Sequence, residues 1–328
     1  MEFDNTRAYD VIALGRSTCD IYSQDIGDLK DSRTFLRFLG GSPANTAAAM
    51  SKLKLKVGFI GKVSDDGMGQ FVIDEFHRYG VNTDGIAIDD EGHLTGITIG
   101  ELKGQGKCSC LMYRNNCADL NLKPQELSVD YIKNSRILLI SGTSLSQSPA
   151  REAVLTAANF ARKYATKIMF DPDFREGTWK NNSEASIYLA LCASMADIVV
   201  GTVEEMEILC RGLLPHENFS SEKIAKALLD KGVKIVVIKN GKEGSTAYTA
   251  KETVFSPAFH EDKILKTFGA GDSFASGFVH ALLMGKDLAR CQTEGAAAAA
   301  VTIKGNSCSE AAPTLAELED FLNKHTNS

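Results

Sequence analysis

The sequence predicts an α/β fold in which helices cover a mostly parallel central sheet. Three observations carry this reading. Short β-branched or aliphatic runs recur along the 328 residues. Those runs are continuous rather than alternating, the pattern of strands buried on both faces. Longer segments of helical character lie between them, and strand–helix alternation of this kind builds parallel sheets with crossover helices.

The first run, 10–14, opens the sheet, and runs at 57–63, 136–141, 167–170, 197–200 and 234–238 add five more strands. Helices are expected over 44–53, 67–79, 149–164, 184–195, 221–230, 272–284 and 288–301. Two segments break the alternation. Residues 21–39 are mixed polar and aromatic, and residues 94–118 read as two strands around a turn at Gly104-Gln105-Gly106. Both follow core strands, where an α/β sheet presents its ligand crevice, so together they are expected to form a small β lid. No fixed repeat period is present, which excludes a solenoid.

Composition narrows the function class. Apolar residues make up 44% of the chain and charged residues 24%, the balance of a globular protein rather than a disordered one. The 36 basic and 42 acidic residues leave a net charge of −6, which argues against nucleic acid as the main partner. The opening MEFDNTRAYD lacks a signal-peptide core, and no apolar run is long enough to span a bilayer, so no membrane role is expected. The eight cysteines include no C-x-x-C pair, which reads as free thiols in a reducing cytoplasm. The length allows one large domain or two, and the motifs below favour a single domain over 1–328, interrupted by the lid at about 21–39 and 94–118.

The chemistry concentrates in four places. Lys266-Thr267-Phe268-Gly269-Ala270-Gly271-Asp272-Ser273 immediately precedes an apolar helix. Glycines at 269 and 271 let backbone N–H groups approach a ligand, and the helix N-terminus adds free donors and a positive dipole end. This suits an anion whose charge grows during reaction, such as a transferring phosphoryl group. Asp272 then reads either as a helix cap or as a general base taking a proton from a hydroxyl. Gly40-Gly41-Ser42-Pro43-Ala44-Asn45 opens an earlier helix, where the diglycine permits close backbone approach and Asn45 offers donor and acceptor together. Acids follow successive strands at Asp20, Asp171, Asp173, Glu204 and Glu205, where such folds bind ligands and where Mg²⁺ beside phosphates needs carboxylates or their waters. The fourth place is the glycine-containing loop Lys239-Asn240-Gly241-Lys242-Glu243-Gly244. No G-x-x-x-x-G-K-[ST] occurs, which excludes an ordinary P-loop, and no G-x-G-x-x-G opens the first helix.

Taken in order, G-G-S-P-A-N at 40–45 and T-F-G-A-G-D at 267–272 resemble the two signatures of the PfkB-type sugar kinases of the ribokinase superfamily. The resemblance runs from the first strand to Pro313. It implies a ribokinase-like α/β domain with a small β lid, and ATP- and Mg²⁺-dependent phosphorylation of a sugar-like alcohol. By the same resemblance Asp272 would be the base and the backbone at Gly269, Ala270 and Gly271 the anion hole. Asp20, Gly40, Gly41 and Asn45 would hold substrate hydroxyls, and Glu204 would help organise Mg²⁺. Lys239, Gly241, Gly244, Thr267 and Asn306 would lie along the nucleotide. Lids in this superfamily often pair, which implies a homodimer through the lid.

Two positions depart from the family pattern. Lys266 replaces an Asp associated with a bound monovalent cation, and Gly201 replaces the Asn of an N-x-x-E motif. The substrate narrows further. GRSTCDIYSQDIG at 15–27, KTFGAGDS and GTVEE resemble the subgroup that phosphorylates 5-dehydro-2-deoxygluconate in inositol catabolism, and MYRNNCADL at 112–120 resembles a lid motif shared with 2-keto-3-deoxygluconate kinases. A sugar acid carries a carboxylate, which an Arg fork matches bidentately. Arg114 and Arg175 are the candidates, with Tyr113 as a neutral donor, Arg16 reaching in from the first strand and Asp171 on the substrate side. A 2-keto-3-deoxygluconate kinase, a fructokinase, a nucleoside kinase and a non-catalytic sugar-binding regulator are the rival readings.

Overall fold

Side chains alternate across each interior strand, and that alternation divides the core into two layers. In β1 (Tyr9–Leu14), Val11 and Ala13 face one side of the sheet and Ile12 and Leu14 the other. Both sides are buried, which is why the run reads as continuously apolar. The computed structural model describes residues 1–104, 107–214 and 219–326. After β1 come β2 (Thr18–Ile26), β3 (Phe35–Gly40), α1 (Ser42–Lys52), β4 (Val57–Ser64), α2 (Gly67–Tyr79) and β5 (Asn82–Asp89). Next are β6 (Ile97–Gly104), β7 (Lys107–Tyr113), α3 (Val129–Lys133), β8 (Ser135–Ser141), α4 (Ala150–Lys163), β9 (Lys167–Asp171) and α5 (Asn182–Ala193). The chain continues through β10 (Ile198–Thr202), α6 (Val203–Arg211), α7 (Ser221–Asp230), β11 (Ile235–Lys239), β12 (Ser245–Tyr248) and β13 (Thr253–Ser256). It closes with α8 (Ala270–Leu283), α9 (Leu288–Thr302) and α10 (Leu315–Thr326).

The main sheet has nine strands in the order β13-β12-β11-β10-β9-β8-β1-β4-β5. All neighbours are parallel except β11–β12 and β12–β13. One core layer packs α4, α5, α6 and α7 on Ile12, Ile140, Phe170 and Ile238. The other packs α1, α2, α8 and α9 on Val11, Leu139, Val200 and Val237. The six aliphatic runs are the interior strands β1, β4, β8, β9, β10 and β11. Strands β5, β12 and β13 were not anticipated. β5 and β13 lie at the sheet edges, are only partly buried and lack a continuous apolar run, while β12, between β13 and β11, has only four residues. Helix α6 was also missed, because its first turn carries the acids read as a strand-end cluster. Thr202 and Glu205 form its capping box.

Strands β3-β2-β6-β7 make a second, four-stranded sheet. β2–β3 and β6–β7 are antiparallel, and β2–β6 is parallel. Register sets Asp20 opposite Thr98, and Thr98 opposite Met112, so these side chains share one face. The expected turn at Gly104-Gln105-Gly106 falls partly outside the described residues, at Gln105 and Gly106. No helix among the described residues is long and apolar enough to cross a membrane. All eight cysteines are free.

Candidate active site

A cleft of about 380 Å³ opens between the carboxyl ends of the main-sheet strands and the inner face of the second sheet. Its floor is built by residues that follow β1, β9, β10 and β11, where parallel strands deliver their loops. Asp20, Tyr22, Thr98, Cys110 and Met112 form the facing wall. The third wall joins the start of α1 to the loop before α8.

The two glycine-containing motifs meet there. The Ser42 hydroxyl donates to Asp272 Oδ1 at 2.7 Å, and Asn45 Nδ2 donates to Asp272 Oδ2 at 3.1 Å. Asp272 is therefore not a helix cap. Gly269 is the N-cap, in the left-handed region at φ 78°, and Asp272 sits in the first turn with its side chain turned to α1. The first bond α8 closes runs from Ser273 N–H to the Gly269 carbonyl at 3.0 Å, so the N–H groups of Gly271 and Asp272 close none within the helix. The diglycine has a separate reason at each position. A Cβ on Gly40 would lie 1.8 Å from Asp20 Oδ1, and Gly41 sits at φ 95° with the Arg16 carbonyl 2.4 Å from where its Cβ would be. Burial pushes the Asp272 carboxyl above the usual range, and the nearby Asp173 charge adds to this, while Ser42, Asn45 and Arg175 oppose it. Burial raises Asp20 as well, against hydrogen bonds from Tyr22 and Thr18 and the charge of Arg16.

The floor is a network of opposite charges. Arg175 Nη2 lies 2.7 Å from Asp173 Oδ1, and its Nη1 lies 3.7 Å from Glu205. Arg16 Nη2 is 3.9 Å from the other Asp173 oxygen, which also accepts from Ser141 at 3.0 Å and Thr143 at 3.3 Å. Burial works to raise Asp173, yet Arg175 and Arg16 outweigh it and hold this carboxyl below its ordinary value. Arg16 Nη1 donates to Met112 Sδ at 3.2 Å, and its buried Nε has no hydrogen-bond partner among the described residues. Lys239 Nζ lies 3.8 Å from Asp171 Oδ2 and 3.2 Å from where a Gly271 Cβ would be, so its ammonium sits over the glycine loop. Burial raises Asp171, and Lys239 resists the rise. No group of three His, Cys, Asp or Glu among the described residues is arranged to hold a metal ion.

Eleven of the residues anticipated from sequence line this cleft: Arg16, Asp20, Gly41, Asn45, Asp171, Arg175, Lys239, Thr267, Gly269, Gly271 and Asp272. Gly40 lies behind them against Asp20, and Ala270 is the first residue of α8. Three expectations require correction. Arg114 is buried away from the cleft lining, where its Nε donates to Asp119 at 2.9 Å and its Nη1 to the Thr143 carbonyl at 3.3 Å, so its fork is already taken. Tyr113 follows Met112 in β7, and strand alternation turns it to the outer face, where it is 59% exposed. Glu204 is exposed, and the next residue along α6, Glu205, is the acid that lines the cleft.

Gly241, Gly244 and Asn306 also stand outside the cleft lining. The two glycines shape the turn after β11 at φ 53° and 110°, and Asn306 donates to Gln24 Oε1 at 2.9 Å. Asp173, one of the strand-end acids but given no role of its own, lines the cleft, and so does Ser42, which lay inside the first motif without a role. Tyr22 lies inside the 15–27 stretch but had no role assigned, and Cys308 belongs to no motif. Lys266 is fully buried, with Nζ donating to the Phe268 carbonyl at 2.7 Å. Because the Ser42 hydroxyl lowers the Asp272 pKa, Ser42→Ala should move the Asp272 carboxyl titration to higher pH. Side-chain ¹³C carboxyl shifts across a pH series would read this, and an unchanged or lower titration would contradict it.

The pfkB family carbohydrate kinase model matches residues 9–315. A protein of Geobacillus kaustophilus (strain HTA426) named 5-dehydro-2-deoxygluconokinase is 42% identical over 328 residues, which cover 100% of this chain and 97% of that one. A Bacillus anthracis (strain CDC 684 / NRRL 3495) protein of the same name is 43% identical over 98% of this chain and 96% of its own. Among solved structures, an Escherichia coli protein provisionally named ribokinase II, in complex with ATP and Mg²⁺, gives a TM-score of 0.85 at 24% identity over 97% of this chain and 100% of that one. Fructokinase from Xylella fastidiosa with bound ATP gives 0.84 at 23% identity over 96% and 99%. These two likenesses establish the ribokinase-like fold. With the family model running from β1 into α10 and full-length relatives above two-fifths identity, the chain belongs to the pfkB family of carbohydrate kinases.

Proposed function

We propose that the chain transfers the γ-phosphoryl group of ATP to the primary hydroxyl of a sugar acid, and that this acid is 5-dehydro-2-deoxygluconate. The observation that carries the chemistry is the Asp272 carboxylate, fixed by Ser42 and Asn45 beside the open N-terminus of α8. The name shared by the full-length relatives supports the choice of acid.

Asp272 accepts the proton of the attacking hydroxyl. Its raised pKa brings the carboxylate closer to the proton affinity a general base needs near neutral pH. The backbone at Gly269, Ala270 and Gly271 would take the growing negative charge, with the Gly271 N–H unused by the helix, and Lys239 brings a cation over the same loop. These donors, with glycines that leave room for phosphate oxygens, fit a nucleoside triphosphate. Thr267 lies on the nucleotide side of this loop, with the turn at Gly241 and Gly244 and Asn306 farther along. Mg²⁺ would supply charge neutralisation between the phosphates, with Glu205, which lines the cleft, to organise its waters in place of Glu204.

The acceptor lies between the two sheets. Asp20, Asn45 and the Gly41 backbone take its hydroxyls, and Gly40 makes room for Asp20. Arg16 and Arg175 take the carboxylate, replacing Arg114 in that role. The Arg16 Nε is a buried donor awaiting an acceptor, and burying such a group unpaired is costly. The second sheet acts as a lid. Its outer face carries a row of Ile21, Ile99 and Leu111, with Leu111 52% exposed, which supports a homodimer through the lid. The eight free thiols support a cytoplasmic setting.

Asp272→Asn should lower kcat by about 10²–10⁴-fold with little change in ATP affinity, read by coupled ADP release and calorimetry. Near-normal turnover would refute the base assignment. Arg16→Lys and Arg175→Lys should each raise KM for the acid about tenfold while leaving neutral sugars largely unaffected. Equal effects on both substrate classes would remove the carboxylate role. The Lys266 ammonium is proposed to take the place of a monovalent cation beneath the loop. Activity should then be equal in sodium, potassium and bulky-cation buffers, and strong potassium dependence would overturn this.

A further inference from the structure

The cleft holds a chain of contacts that the transfer mechanism above does not use. Tyr22 on β2 donates its hydroxyl proton to Asp20 Oδ2 at 2.7 Å. The same Tyr22 oxygen lies 3.4 Å from Cys308 Sγ, and because its own proton is committed, the thiol is the donor there. Lys266 Nζ points at Cys308 Sγ at 3.8 Å and donates to the Phe268 carbonyl at 2.7 Å. Every proton along Lys266, Cys308 and Tyr22 therefore runs in one direction, toward Asp20. Hydrogen bonds so aligned polarise one another.

The chain is also packed, not only bonded. Tyr22, Phe38 and Cys308 form a small buried cluster with Phe268 against it. A Cβ on Gly269 would lie 2.7 Å from Cys308 Cβ, so Cys308 touches the glycine whose left-handed backbone starts α8. Lys266 is fully buried, and its bond to the Phe268 carbonyl orients the Phe268–Gly269 peptide. In a trans peptide the Gly269 N–H then points away from Lys266. Burial pushes the Cys308 thiol up to about 12, which keeps its proton in place to donate.

We propose that Tyr22, Cys308 and Lys266 form a hydrogen-bonded relay that couples the Asp20 carboxylate on the second sheet to the phosphate-facing loop at 267–272. They are positioning residues: none acts on the transferring phosphorus, and each acts through Asp20 or through the Phe268–Gly269 peptide. The inference rests on Asp20 accepting a substrate hydroxyl. A sugar that engages Asp20 then tightens the loop for the nucleotide, and by linkage the nucleotide tightens the sugar by the same factor.

The test measures the Kd of adenylyl imidodiphosphate with Mg²⁺ by calorimetry, with and without acceptor. The acceptor is whichever compound in a panel of acid and neutral sugars supports the fastest ADP release. A neutral sugar winning overturns the acid reading above and leaves this test intact. In the wild type, the acceptor should tighten the analogue at least about fivefold. Cys308→Ala and Tyr22→Phe should bring that factor close to one, and Cys308→Ser, which keeps a donor and an acceptor, should retain most of it. Tyr22→Phe removes a single oxygen and keeps the ring in its cluster, so its result stands even where the cysteine variants are poorly folded. A wild-type factor of one, an unchanged factor in Tyr22→Phe, or a Cys308→Ser factor as low as that of Cys308→Ala would overturn the relay.

Discussion

A carboxylate withdrawn from water tends to take up a proton, and Asp272 is held in that position beside a second acid, Asp173. Two hydrogen bonds from α1, given by Ser42 and Asn45, keep it aimed and temper the rise in its pKa. Those bonds join residues 230 and 227 positions apart in the chain. Much of the fold serves that meeting. α1 and α8 pack on the same side of the main sheet, in one core layer. Gly40 and Gly41 admit Asp20 and the Arg16 carbonyl where side chains would otherwise stand. Gly269 turns the chain into α8, whose first-turn residues Gly271 and Asp272 line the cleft.

The cleft also shows why a net charge of −6 does not forbid anionic ligands. Arg16 and Arg175 converge on Asp173, and Lys239 stands between Asp171 and the glycine loop. Each cation is held by an acid and lines the cleft. Local potential is set by these placed groups and by backbone dipoles, not by the total. A buried donor such as Arg16 Nε costs energy while nothing accepts from it.

The interior of the fold was legible because burial on both faces leaves a signal in every residue of a strand. Edge strands leave little of it, so β5 and β13 escaped notice, and β12 is too short to show a run. In the site, Asp272, Asn45 and the glycines were readable from local motifs. Errors arose where one step of phase decides which side a residue faces. Tyr113 lost its place by strand alternation to Met112, and Glu204 by helix phase to Glu205. Arg114 failed for another reason. Asp119, five residues on, claims its guanidinium in a buried pair, and an Arg beside a nearby Asp looks the same in sequence whether it is free or taken. Tyr22 and Cys308 left no local signal, because only the packing of β2 against the loop before α8 brings them together.

The most direct measurement is a structure with adenylyl imidodiphosphate, Mg²⁺ and 5-dehydro-2-deoxygluconate bound together. The account predicts the acceptor's primary hydroxyl about 2.6–3.2 Å from the Asp272 carboxylate, with the substrate carboxylate between Arg16 and Arg175. A hydroxyl out of reach of Asp272, or a carboxylate gripped elsewhere in the cleft, would contradict it.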